Sequence, residues 1–390
     1  MDITLTKEQK DIAKEARRFL AKECPFDFVQ EAYESDKDLT DDIWNKMMEM
    51  DWMAMRIPEA HGGLGMEQTD LNIVLEEMGR AVVPGPFFST VLLTAEAIIE
   101  AGNEEQKQQI LPQIADGKLK GTLALYESDG GADLNYINMP AHAVGGSYVL
   151  NGTKLYVPGA DVADILVCVA RTKESDDPTK GITLFLIDLT TEGISVQPLP
   201  TMDGTRKLSA IEFKNVRLGA ETILGDLHHG WAPLQRILQR AQVGLSAECV
   251  GGAQRAMEIA TEYAKVRIQY DQPIGAFQAI KHRCAQMFVD TESARSMLYW
   301  AGWAQDHGDE KQAAVSASAT KSYCTEAFTR NASSGIQILG GTGFTMENEM
   351  HLFLKRAKAN EMALGDPVFH RERIMQLLTE SDLKIPSNVR

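Results

Sequence analysis

The apolar period of this chain changes twice, and that change limits the folds open to it. Up to about residue 120, apolar residues recur at three- and four-residue steps, as in residues 70–80 and 103–114, which predicts helices. Thr6 and Gln9 have capping-box spacing, and Ile12, Ala16, Phe19 and Leu20 then share one helical face. From about 121 to 225, short β-prone runs take over: 148–150, 153–157, 165–169, 182–189 and 210–213. No helical run of useful length separates them. That argues against a βαβ unit and predicts a small antiparallel sheet domain. Asn151-Gly152, between the first two runs, predicts a hairpin turn. Helix then returns in 231–266 and 278–307, both long and rich in Ala, Leu, Gln and Glu, and in 313–339 and 346–364; long helices with short joints predict an antiparallel bundle. The reading is an α+β chain of three domains: 1–120 helical, 121–225 an antiparallel β domain, and 226–390 a C-terminal four-helix bundle.

The charge balance narrows the function. Lys and Arg total 39 against 55 Asp and Glu, a net charge of −16, with no basic tract. Nucleic acid and membrane surfaces are therefore not expected partners. Cys24, Cys168, Cys249, Cys284 and Cys324 form no CxxC pair, so neither a zinc site nor a disulfide framework is expected. His228-His229 lacks a third ligand at suitable spacing, so no metal is expected there. No apolar run approaches the ~18 residues of a spanning helix, and the N-terminus shows no signal-peptide pattern. A cytoplasmic protein is the expectation.

Several segments then line up in order. Ile57-Pro58-Glu59 leads into Gly62-Gly63-Leu64-Gly65, and Gly102 precedes Gln106. Asn151-Gly152-Thr153-Lys154 follows, then Phe213-Lys214-Asn215-Val216-Arg217. Tyr263-Ala264, Arg267, Gln269-Tyr270, Pro273-Ile274 and Phe277-Gln278 come next, and the series closes on Gln337-Ile338-Leu339-Gly340-Gly341. From residue 57 to residue 341 this order resembles the acyl-CoA dehydrogenase family.

The resemblance implies FAD as cofactor and an acyl-CoA as substrate, with electrons passed to an electron-transfer flavoprotein. It implies that Arg267, Tyr270, Phe277, Gln278, Gln337, Gly340 and Gly341 hold the pyrophosphate and adenosine across a dimer interface. Elementary chemistry agrees in two places. Arg267 supplies positive charge for a pyrophosphate, and Gly340-Gly341 allow close backbone approach. Tyr126, Asp133, Tyr156 and Pro158 are expected around the flavin. Here the chain departs from the family pattern, because Ala132 replaces its serine and Tyr156-Val157-Pro158 replaces its Trp-Ile-Thr/Ser. Pro158 has neither hydroxyl nor N–H, so it cannot donate to flavin N5.

The larger departure concerns the base. In the family a carboxylate removes the α-proton of the thioester, an effect of ~10²–10⁴-fold. The two usual positions fall at Leu364 and at about Ala241, and neither carries one. Three explanations stay open: Asp366 serves as base, another side chain of the acyl pocket does, or a homologous partner supplies the chemistry. Gly365-Asp366-Pro367 equally reads as a turn and cap. Whichever holds, the Leu364 amide remains a candidate donor to the thioester oxygen, beside Gly365. Phe88, Ser89 and Thr90 fall where the family closes the acyl pocket, and two aromatics, Phe87 and Phe88, suit a compact, branched or cyclic acyl group, although helix packing explains them equally well. The resemblance implies a homodimer or homotetramer, or a heterotetramer with a homologous subunit.

Overall fold

The computed structural model describes residues 5–35, 39–130 and 136–378. Helices α1 (Lys7–Glu23), α2 (Phe26–Glu34), α3 (Asp41–Glu49), α4 (Gln68–Arg80), α5 (Glu96–Ala101) and α6 (Glu104–Ala115) build the first domain. α1 begins where its sequence predicts. Gln9 N donates to Thr6 Oγ1 at 3.2 Å and Thr6 N to Gln9 Oε1 at 3.0 Å. Ala16 and Leu20 are buried along the expected face. Asn103 and Gln106 cap α6 in the same reciprocal way. Phe88–Ala95, just before α5, winds as a buried π-helix, a form enriched at functional sites.

The middle domain carries β1 (Gly121–Ala124), β2 (Ala141–Val144), β3 (Ser147–Pro158), β4 (Ile165–Arg171), β5 (Ile182–Asp188), β6 (Ile194–Leu199), β7 (Leu208–Leu218) and β8 (Ile223–Leu224). They form two sheets, ordered β1-β4-β5-β8 and β2-β3-β7-β6. Leu150, Cys168, Phe185, Ile211 and Phe213 belong to one buried core of this domain. Two expectations need correction. The domain is not wholly antiparallel, because β1 runs parallel to β4. The long excursion through β2 and β3 gives the chain room for that return. Nor is Asn151-Gly152 a hairpin turn. β3 runs straight through it, and the turn lies at Gly145-Gly146, both with positive φ, between β2 and β3. β7 pairs with β3 on both sides of Gly152, so folding back there would unpair half of β7. Asn151-Gly152 instead marks a shift of register, braced by Asn215 N donating to Asn151 Oδ1 at 2.8 Å.

The last domain contains α7 (Trp231–Val266), α8 (Gln278–His307), α9 (Glu310–Leu339), α10 (Met350–Met362) and α11 (Pro367–Leu377). α7 packs against α4 at backbone contact. A Cβ on Gly251 would lie 1.7 Å from the Glu76 carbonyl oxygen, and one on Gly79 2.0 Å from that of Glu248. A buried ionic network fastens the sheet domain to the bundle. Arg356 Nε donates to Asp203 at 2.6 Å, and Arg206 donates to Glu248 at 2.6 Å and to Asn360 at 3.0 Å. Among the described residues no helix is long and apolar enough to cross a membrane.

Candidate active site

The α10–α11 connection passes through Leu364 and Gly365, with φ of +58° and +95°. Two successive left-handed residues reverse the chain tightly. Gly365 adopts this without strain, whereas for Leu364 it costs about 1–2 kcal/mol. Side chains from three helices hold the turn. Gln242 Nε2, on α7, donates to the Leu364 carbonyl at 3.2 Å. The same carbonyl takes His370 Nε2, on α11, at 2.9 Å. Lys321 Nζ, on α9, donates to the Gly365 carbonyl at 2.8 Å and to that of Glu361 at 3.3 Å.

Electrostatics follow from burial. The Lys321 ammonium is pushed down to about 8 by desolvation, partly offset by Cys249, Glu361 and Asp366. His370 is pushed down to about 3, first by burial and then by the charge of Lys321. It is therefore a neutral imidazole whose Nε2–H donates to Leu364, while Nδ1 is buried without a hydrogen bond. Asp366 is the N-cap of α11, its carboxylate accepting from Phe369 N at 2.7 Å.

The turn's carbonyls are taken up by the bundle, and its amides face Tyr126 of the sheet domain. The Tyr126 hydroxyl is buried, which raises its pKa. The Leu364 and Gly365 amides ease its ionisation, but none of its contacts has hydrogen-bond geometry. Leu155 N donates to the Tyr126 carbonyl at 2.9 Å. The neighbouring Glu127 carboxylate takes the buried Lys154 ammonium at 2.7 Å and the amides of Asn138 and Met139 at 3.0 Å.

Phe88, Ser89 and Thr90 all lie buried in the π-helix. The Phe88 ring sits under the Arg206 guanidinium, 4.8 Å from its centroid. Phe88, Ser89 and Pro158 border a cleft of ≈ 20 Å³, room for about one water. Ser89 Oγ donates to the Pro86 carbonyl, and Thr90 Oγ1 accepts from Gly121 N at 3.1 Å, so both hydroxyls serve the scaffold. A larger cavity of ≈ 880 Å³ opens between α7, α9 and α11, lined by Trp231, Gln235, Gln239 and Phe369 among others. Phe369 also packs over Gly365, which places this cavity beside the turn.

The residues expected around a cofactor are spread over the surface of one chain. Tyr156 has φ +56° and is 52% exposed. The Pro158 carbonyl accepts from Thr122 Oγ1 at 2.6 Å. Asp133 lies outside the described residues. Arg267 ends α7, exposed. Tyr270, 87% exposed, meets Phe277 edge-on at 6.1 Å, and Gln278 opens α8. Gln337 and Gly340 lie exposed at the end of α9. A Cβ on Gly340 or Gly341 would meet nothing within 4 Å, so this backbone stands open.

Three matches cover nearly the whole chain. Residues 6–118 match the N-terminal domain of acyl-CoA dehydrogenase, 122–216 its middle domain and 228–379 its C-terminal domain. The chain belongs to the acyl-CoA dehydrogenase family. A probable acyl-CoA dehydrogenase of Bacillus subtilis, YngJ, is 30% identical over 95% of this chain and 98% of its own. The CarC subunit of the caffeyl-CoA reductase–Etf complex of Acetobacterium woodii is 31% identical over 88% of this chain and 90% of its own. Among solved structures, the butyryl-CoA dehydrogenase of Megasphaera elsdenii superposes with a TM-score of 0.89 at 25% identity, covering 96% of this chain and 99% of that one.

This acyl-CoA dehydrogenase is thus an FAD-dependent oxidoreductase, and its residues fit the cofactor. The open backbone at Gly340-Gly341 and the exposed cation of Arg267 suit a pyrophosphate. Lys321 escaped the sequence reading. Its only signal is a lone cation among the small residues of 313–325. The aim of the Tyr126 hydroxyl had no sequence signal, since it arises where two domains meet.

Proposed function

We propose that this protein catalyses α,β-dehydrogenation of a compact, branched or cyclic acyl-CoA, or the reverse, and exchanges electrons with an electron-transfer flavoprotein. The observation that carries this is the 364–365 turn. Both carbonyls are anchored, so two amides stand ready for a thioester oxygen, where negative charge develops as the α-proton moves. When bound, FAD takes or gives the hydride at the β-carbon. Arg267, Gln337, Gly340 and Gly341 would hold its pyrophosphate and adenosine, with Tyr270, Phe277 and Gln278 beside them. Tyr156 and Pro158 would border the flavin. Leu364 and Gly365 would orient the thioester. Phe88, with Ser89 and Thr90 behind it, would close the acyl end, and its aromatic ring against so narrow a cleft supports a compact acyl group. The cavity between α7, α9 and α11 would take the coenzyme A arm. Exposed Val266, Ile268, Tyr270, Phe288 and Phe344 offer an apolar surface for a second copy, giving a homodimer or homotetramer. The five unpaired cysteines suit a reducing, cytoplasmic setting.

A second reading rests on a separate observation. Leu364 and Ala241 carry no carboxylate, and the Asp366 carboxylate is engaged as a helix cap. The chain would then be a partner-dependent subunit of a heteromeric enzyme. Turnover of a panel of acyl-CoA thioesters with an electron-transfer flavoprotein separates the two. Activity of the purified chain alone supports the first reading. Activity that appears only after a homologous subunit is added supports the second.

A further inference from the structure

The groups able to move a proton near the 364–365 turn stand on two sides of it. On the carbonyl side are Lys321 and His370, each donating to a carbonyl oxygen. Asp366 points into the first turn of α11, and Cys249 takes a bond from Asn360 Nδ2 deeper in the bundle. On the amide side, among the described residues, stands Tyr126. Its hydroxyl is buried and faces both amides outside full hydrogen-bond geometry, and its O–H proton has no acceptor. A buried O–H donor left without an acceptor costs about 1–3 kcal/mol, and such a group in a folded protein calls for a reason. Its backbone is also held firmly. Leu155 bonds the Tyr126 carbonyl, and Glu127 is fixed by Lys154, Asn138 and Met139. The tyrosine is positioned before any ligand arrives.

We propose that Tyr126 transfers the proton at the α-carbon of the CoA thioester, in the role the missing carboxylate would fill. This rests on the function proposed above. The two amides provide two donors, enough for the thioester oxygen and the phenol oxygen together. A thioester oxygen bound there has its α-carbon two bonds away, close enough for the neighbouring phenol to serve it. Burial keeps the phenol protonated near neutral pH, which makes it an acid rather than a base. The favoured substrate class is therefore a 2-enoyl-CoA taken in the reducing direction. Bound reduced flavin would supply the hydride at the β-carbon, and the electron pair of the C=C bond would then move to the α-carbon. That carbon takes the Tyr126 proton, and the phenolate regains one from solvent. The product is the saturated thioester. The oxidising direction needs the phenolate, so its rate should climb with pH instead of levelling off above the carboxylate range.

The test uses the full flavin-loaded protein and its Tyr126→Phe variant, with crotonyl-CoA and butyryl-CoA. Tyrosines are also replaced by 3-fluorotyrosine, and the Tyr126 ¹⁹F resonance is assigned by its loss in the variant. We expect crotonyl-CoA to shift that resonance whether or not flavin is bound. We expect the variant to retain flavin and crotonyl-CoA binding, and to lose roughly 10²-fold or more in rate. The rising pH profile of butyryl-CoA oxidation should move to lower pH in the fluorinated protein. A variant that reacts within a few-fold of wild type, with the same pH profile, overturns the proposal. So does a Tyr126 resonance that stays still when crotonyl-CoA binds. A wild-type flavin that responds to no CoA thioester would instead overturn the function on which the proposal rests, and the proposal with it.

Discussion

The Lys321 ammonium, fully buried in α9, donates to the Gly365 carbonyl at 2.8 Å across 44 positions of sequence. This bond joins the bundle to the turn that presents the Leu364 and Gly365 amides. It also leaves a cation in a place that disfavours charge, with its pKa lowered to about 8.

That cation predicts a pH dependence. Between about pH 8 and the ordinary lysine value, the unfolded chain holds the proton that the folded chain has released. Stability therefore rises with pH in that window. In Lys321→Met this contribution is absent. Urea midpoints of both proteins at pH 7 and pH 9.5 check it: wild type should gain on the variant as pH rises. An unchanged or shrinking margin contradicts the assignment.

The Arg356–Asp203 pair predicts a large loss of stability. Both side chains are 2% exposed, and Thr205 and Val83 complete the arginine's hydrogen bonds. Arg356→Met leaves the Asp203 carboxylate buried without its main counter-charge, at a cost of about 3–5 kcal/mol. Chemical denaturation measures it. A loss under about 1 kcal/mol would show the pair to be solvated.

The α4–α7 contact predicts that Gly251→Ala destabilises the fold although alanine is the better helix former. Its Cβ would lie 1.7 Å from the Glu76 carbonyl oxygen, and backbone cannot rotate aside as a side chain can. The overpacking should cost about 1–3 kcal/mol or more, well beyond the ~1 kcal/mol that alanine gains in helix propensity. A variant as stable as wild type in thermal melts contradicts the close packing.

Arg267→Ala should lower FAD content sharply while far-UV circular dichroism stays unchanged, because the side chain is exposed and outside the core. Flavin absorbance per chain after gel filtration is the readout. Undiminished flavin would move the pyrophosphate site elsewhere.

Much of this was legible in the sequence, for reasons that differ by element. α7 and α8 occupy the residues that the sequence marks, because long runs of strong helix formers carry their own local preference. Thr6 and Gln9 cap α1 as their spacing requires, since a capping box is local. Asn151-Gly152 misled for the converse reason. A strong local turn signal yielded to β7, which pairs across it from more than 50 residues away. The turn at Leu364 could be placed by counting along the family pattern. What holds it could not, because Gln242, Lys321 and His370 reach it from three helices. The Tyr126 hydroxyl acquires its surroundings only when sheet domain and bundle dock.

Flavin chemistry on a CoA thioester at the 364–365 turn is the first requirement of the proposed function. The most direct test is the anaerobic visible spectrum of the purified, flavin-loaded protein. It is titrated with straight, branched and cyclic acyl-CoAs, then reduced and titrated with the matching 2-enoyl-CoAs. Bleaching by at least one compact acyl-CoA, or return of colour with its unsaturated partner, is the expected result. A flavin that answers to neither, in the protein alone, would contradict it.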